Sequence, residues 1–129
     1  MITVRMAKPS EFDSVKKFIR SIFPDAIIQL EDEDTVLVAE HEGKKVGFAH
    51  IIEEDDKVLL QGVGVEPSFR SHGVGTLLIE RALDLLQDIQ KPVYLKVKAL
   101  NPVMELYARH GFSLKKFGDT HVLVKKANA

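Results

Sequence analysis

The stretch VEPSFRSHGVGTLLIERAL, residues 65–83, decides how this chain folds. Val65 closes an apolar run, and Pro67 stops that run as a strand. Gly73-Val74-Gly75 then opens a helix pattern over residues 73–89. In it Val74, Leu77, Leu78, Ala82, Leu85, Leu86 and Ile89 form one stripe. A helix N-terminus presents unpaired N–H groups and about half a positive charge, a combination that attracts anions. Glycine lets such an anion approach the backbone closely, and Arg70 adds a fixed cation. On spacing alone a second reading stands equal to this one: Gly73 and Gly75 only shape a tight turn.

Working outward, Ile2–Met6 alternates as a half-buried strand. Pro9, Ser10 and Glu11 begin a helix carrying Phe12, Val15, Phe18, Ile19 and Ile22, and Pro24 ends it. Residues 25–34 read as a loop with one helical turn. Residues 35–41, 44–53 and 57–65 form an antiparallel meander, turning at Glu42-Gly43 and Asp55-Asp56. After the glycine-led helix, 93–98 alternates as a strand, which predicts a parallel crossover between the strands on either side of that helix. Asn101-Pro102 caps a further helix that stops at Gly111, with Phe112 beyond it. The segments SLKKF and HVLVKK complete the chain as strands joined around Gly118-Asp119. The order β-α-β-β-β-α-β-α-β-β describes a single mixed α/β domain, with a mostly antiparallel sheet of six to seven strands flanked by helices.

Composition limits the function. The 129 residues fit one core, and the absence of cysteine excludes disulfides, thiolate metal sites and a cysteine nucleophile. With 18 basic and 19 acidic residues there is no basic excess to hold nucleic acid. No apolar run spans a membrane, and MITVRMAKPSEFD lacks the apolar core of a signal peptide. A cytoplasmic location is therefore the expectation. His41, His72, His110 and His121 show no metal-ligand spacing, so no metal is expected. Edge strands near the C-terminus make a homodimer the expected assembly.

Two nucleotide motifs fail at the glycine loop. No GxxxxGK followed by Ser or Thr occurs. The GxGxxG fingerprint breaks at Leu78 after Gly73-Val74-Gly75, and at Pro67 after Gly62-Val63-Gly64.

The same residues resemble a different cofactor motif. Val65, Pro67, Phe69, Arg70, Gly73, Val74 and Gly75 meet every fixed position of motif A of the GCN5-related N-acetyltransferase (GNAT) superfamily. Asn101, Leu106, Tyr107, Gly111 and Phe112 meet its second signature, at the expected distance and with matching element order across nearly the whole chain. The resemblance implies transfer of the acetyl group of acetyl-CoA to a primary amine by direct attack in a ternary complex. It implies that backbone N–H groups of Ser71, His72, Gly73, Val74, Gly75 and Thr76, with Arg70, hold the pyrophosphate. Backbone groups of Val63, Gly64 and Val65 would pair with the pantetheine arm, on a strand that the family bulges. It implies Asn101 as a further cofactor contact and Tyr107 as the general acid for the leaving thiolate.

The general base is less determined. Gln61 stands on the strand where relatives often place an acid. Lys96 stands where certain N-terminal-residue acetylases place a Glu, which counts against that acceptor class. His50 and Glu53 are the remaining candidates, and each is also compatible with a structural role. Asp25, Glu31, Asp32, Glu33 and Asp34 form an acidic stretch that would attract a cationic acceptor, such as a polyamine, an aminoglycoside or a lysine side chain of a peptide. A solvated surface turn is the alternative. Two other readings of the whole chain are a non-catalytic acyl-CoA-binding module and a transferase of a different acyl group.

Overall fold

The computed structural model describes residues 1–98, 104–116 and 120–126. The strands are β1 (Ile2–Met6), β2 (Thr35–His41), β3 (Lys44–Glu53), β4 (Val58–Val65), β5 (Val93–Lys98), β6 (Ser113–Lys116) and β7 (Thr120–Lys125). The helices are α1 (Phe12–Ile22), α2 (Val74–Leu86) and α3 (Met104–Arg109), and the 3-10 turns Pro9–Glu11 and Pro67–Phe69 lead into α1 and the glycine loop. All seven strands share one sheet in the order β1-β2-β3-β4-β5-β7-β6. Only β4 and β5 run parallel, as the strand–helix–strand passage requires.

The sheet buries both faces. Against one face lie Val74, Leu78, Ile79 and Ala82 of α2 with Tyr107 and Phe112, over Ala49, Ile51, Val58 and Leu60. Against the other lie Phe12, Val15 and Ile19 of α1 with Leu30, over Val36, Val38 and Phe48. The inward stripe of α2 differs from the sequence expectation by a rotation. Ile79 is fully buried while Leu85 is 47% exposed, and the helix ends at Leu86 rather than continuing to residue 89. Residues 25–34 contain no helical turn. Leu30 is pulled into the core instead, and Glu31 and Asp34 close a turn in which Asp34 N–H donates to Glu31 O at 3.0 Å.

Strand β4 carries the feature that positions the site. In its pairing with β3, His50 lies opposite Gly62 and Ile51 opposite Leu60, so Gln61 is an extra residue. A bulge of this kind shifts the side-chain alternation by one. Val58 and Leu60 face α2 before it, and Val63 and Val65 face α2 after it. Gly62 and Gly64 are thereby turned to the opposite face, onto the Phe48 ring. A Cβ on Gly64 would come within 2.6 Å of Phe48 and 2.7 Å of Phe23.

Gly64→Ala should therefore overpack this face and cost about 1–3 kcal/mol, the usual range for added core volume. Urea denaturation checks it.

Candidate active site

Parallel pairing between β4 and β5 consists of Val58 opposite Val93 and Leu59 opposite Tyr94, and it stops there. From Leu60 onward the two strands splay. Glu66 N–H donates to Val46 O at 2.8 Å, which turns residue 66 toward β3. Alternation along the strand then directs the backbone groups of Gly64 toward β3 and those of Val63 and Val65 into the split. The expected contact strand Val63–Val65 thus divides: Val63 and Val65 offer backbone to the gap, and Gly64 does not.

At the wide end of the split the chain enters α2 through residues 70–73. Ser71 (φ 69°) and Gly73 (φ 77°) both adopt left-handed backbone, with Gly73 as the residue just before the helix. For Ser71 this conformation is uncommon and strained. Leu77 N–H makes the first intrahelical bond, to Gly73 O at 3.0 Å. The N–H groups of Val74, Gly75 and Thr76 precede that bond and lack helical partners, as at any helix start. Around them Arg70 Nε donates to Val65 O at 3.2 Å, and His72 Nδ1 donates to Arg70 O at 3.0 Å. The Phe69 ring lies between His41 and His72, with centroids at 5.3 and 6.0 Å. The loop is thus held by its own contacts, none of which uses the N–H groups of Val74, Gly75 or Thr76. Nothing lies within 4 Å of the place a Gly73 Cβ would occupy. These features fit a phosphate group at the helix start and an extended, amide-bearing arm along β4.

A cavity of about 790 Å³ passes through the narrow end of the split. Phe23, Ile27, Ile28, Phe48 and Ile52 wall its α1 side, and Gln61, Gly62, Val63, Leu95 and Lys96 line the split itself. Tyr107 of α3 reaches it from the α2 side of the sheet. Its ring is buried against Phe112 at a centroid distance of 5.8 Å, and burial pushes the phenol above its ordinary value of 10. His50 also lines the cavity. Its Nε2 lies 2.8 Å from Asp34 Oδ2, and each side chain is only 7% exposed. Asp34 Oδ2 accepts a further bond from Glu31 N–H at 3.1 Å.

The two candidate bases part company here. Glu53 ends β3, is 53% exposed on its side chain and pairs with Lys91 Nζ at 2.7 Å, away from the cavity lining. His50 faces the cavity three strand positions earlier than the outward end of β3. Of the acidic stretch, Glu31 and Asp34 line the cavity, and the Asp34 side chain is turned in, only 7% exposed. The partnership of Asp34 with His50 went unread in the sequence. Its available signal was a histidine in phase with Phe48 and Ile52 on an apolar strand face, a position that demands a polar partner. Asn101 lies outside the described residues. Among the described residues no cluster of His, Asp and Glu could hold a metal ion, and no helix is long and apolar enough to cross a membrane.

With this geometry in view, comparison with known proteins is specific. The family model for the acetyltransferase (GNAT) domain matches residues 32–114. The chain is 28% identical over 121 residues to the amino-acid acetyltransferase of Mycobacterium tuberculosis, covering 85% of this chain and 67% of that protein. The ribosomal-protein-S18-alanine N-acetyltransferase of Escherichia coli superposes with a TM-score of 0.84 at 17% identity, over 100% of this chain and 96% of that one. The PaiA N-acetyltransferase of Thermoplasma acidophilum, solved in complex with coenzyme A, gives 0.75 at 15% identity over 98% and 99%. At such identities these two structures speak to the fold.

The buried phenol makes one prediction about stability. Tyr107 holds its proton more tightly folded than unfolded, so above pH about 10 the unfolded chain releases that proton first and stability falls as pH rises. Wild type should lose more stability between pH 9.5 and 11 than Tyr107→Phe, read from urea midpoints at each pH.

Proposed function

Because the chain belongs to the acetyltransferase (GNAT) family, we propose that it transfers the acetyl group of acetyl-CoA to a primary amine held in the cavity at the β4–β5 split. The observation that carries this reading is the meeting, in one slot, of three things the reaction needs. These are an anion-binding helix start, strand backbone without a strand partner at Val63 and Val65, and a protonated phenol at Tyr107.

Acetyl-CoA supplies an activated thioester and a good leaving thiol. The N–H groups of Val74, Gly75 and Thr76 would hold its pyrophosphate, with Ser71, His72 and Gly73 shaping the cradle and Arg70 bracing it through Val65 O. The backbone of Val63 and Val65 would hold the pantetheine arm. Val63 N–H, at the narrow end of the split, is the donor placed to stabilise charge on the acetyl oxygen, a contribution of roughly 3 kcal/mol in comparable sites. Tyr107, kept protonated by burial, would give its proton to the departing sulfur.

The acceptor enters from the α1 side. The wall formed by Phe23, Ile27, Ile28, Phe48 and Ile52 is apolar, and Glu31 and Asp34 add negative charge beside it. This combination favours an amine borne on an apolar chain, small or peptidic, over a highly charged polyamine. Lys96 in the same lining disfavours an acceptor with a second cation next to the reacting one.

Acetyl-CoA should raise the melting temperature of the protein, and thiol release should follow when amines are supplied. Stabilisation without turnover on any amine would favour an acyl-CoA-binding module, and faster release from propionyl- or succinyl-CoA would favour another acyl group. Gly73→Val should abolish the acetyl-CoA-dependent shift, because its branched side chain both opposes the left-handed backbone and blocks the approach to the helix start. Tyr107→Phe should keep the shift while kcat falls by about 10²-fold, the scale of a lost general acid.

A further inference from the structure

We propose that His50 is the proton acceptor for the attacking amine, and that Asp34 is the residue that positions it. This inference rests on the acetyltransferase reading above.

The geometry points to this pair and away from the other ionisable groups in the cavity. An alkylammonium must lose a proton before its nitrogen can attack a carbonyl carbon. Glu31 carries a carboxylate but is exposed and accepts from Gln29 Nε2 at 2.6 Å. Lys96 has no lone pair while charged. Tyr107 is held protonated by burial. His50 alone combines burial, a cavity-facing ring and an orienting partner. With Nε2–H donated to Asp34 Oδ2 at 2.8 Å, the lone pair of a neutral imidazole sits on Nδ1. No protein group among the described residues bonds Nδ1, and no polar side-chain atom among them is both sealed from solvent and unpartnered. Nδ1 is therefore not sealed from solvent, on a residue that lines the cavity. Asp34 is itself fixed by Glu31 N–H, so the carboxylate that aims the ring does not swing. When the imidazole takes a proton, the adjacent carboxylate stabilises the cation formed, the logic by which an acid supports a histidine base elsewhere.

His50 also sits at the right strand position. It pairs with Gly62, the residue after the Gln61 bulge and before Val63. The ammonium N–H passes one proton to His50 Nδ1. The freed lone pair forms the C–N bond to the acetyl carbon. As the C–S bond breaks, sulfur takes the Tyr107 proton, and the second proton shed by the new amide nitrogen restores the phenol through solvent. His50 returns its proton to water, so each turnover releases one proton, one amide and one thiol.

Two nucleophiles separate this role from a structural one. An alkylamine needs a base at neutral pH, whereas hydroxylamine is largely unprotonated there and does not. Acetylation of hydroxylamine by wild type establishes the transferase reading; if wild type acetylates neither nucleophile, that reading fails and the base assignment with it. Given turnover, His50→Gln should lower kcat/KM for the alkylamine about a hundredfold and for hydroxylamine only a few-fold, with the acetyl-CoA melting shift unchanged. Added imidazole should restore part of the alkylamine rate. Asp34→Asn should show the same nucleophile dependence with a smaller loss, and the slowly exchanging imidazole N–H proton resonance of His50 should disappear. It also serves as the test if His50→Gln does not fold. An equal loss with both nucleophiles, or no loss with either, overturns the assignment.

Discussion

One extra residue in β4 governs the rest of this structure. A strand that kept its alternation through Val58, Leu60, Gly62 and Gly64 would present glycine to α2 and valine to the Phe48 face. With Gln61 bulged out, Val63 and Val65 complete the α2 core and the glycines accept the aromatic rings instead. The bulge also bends and twists the strand. Pairing with β5 ends at Leu59 and Tyr94, immediately before it. Beyond that point a row of strand groups is left without a strand, which in most sheets is a liability. Here the unpaired edge lies inside the sheet, between β4 and β5.

The split then sorts the chemistry by face. The loop and α1 close over one side and bring Asp34 onto His50. The α2–α3 layer closes over the other and brings Tyr107. An imidazole and a buried phenol thus approach the same slot from opposite sides of the sheet. Neither contact with the slot survives if the strands zip together, so the bulge couples fold and site through one backbone irregularity.

Much of this was legible locally. The order of elements follows from Pro67, Pro92 and the period of the apolar residues, because those signals act within a few residues of themselves. Gly73 and Gly111 carry positive φ where turn chemistry placed them, at the start of α2 and the end of α3. What escaped depends on partners far along the chain. The alternation of Gly62-Val63-Gly64-Val65 reads equally well in either phase, and only pairing with β3 selects one. Asp34 is one of five acidic residues within ten positions; its burial follows from Leu30 docking on the core and carrying the turn inward. The two alternatives left open for the base differ by three positions on β3, yet one faces a cavity and the other pairs with Lys91.

The Asp34–His50 pair sits at the apolar end of the cavity. A carboxylate and an imidazole that are both 7% exposed sit in a cavity whose α1 side is apolar, with Phe48 buried and Ile28 and Ile52 half-buried. Low polarity around a charged acceptor raises the cost of keeping an ammonium as a cation there. On the proposed reading, the wall facing the acceptor would also push its nitrogen toward the neutral form, and the proton it sheds would find His50 within the cavity. On that reading acceptor selection and nucleophile activation would be two consequences of one apolar surface, with the charge of Asp34 offsetting the cost of bringing an ammonium there.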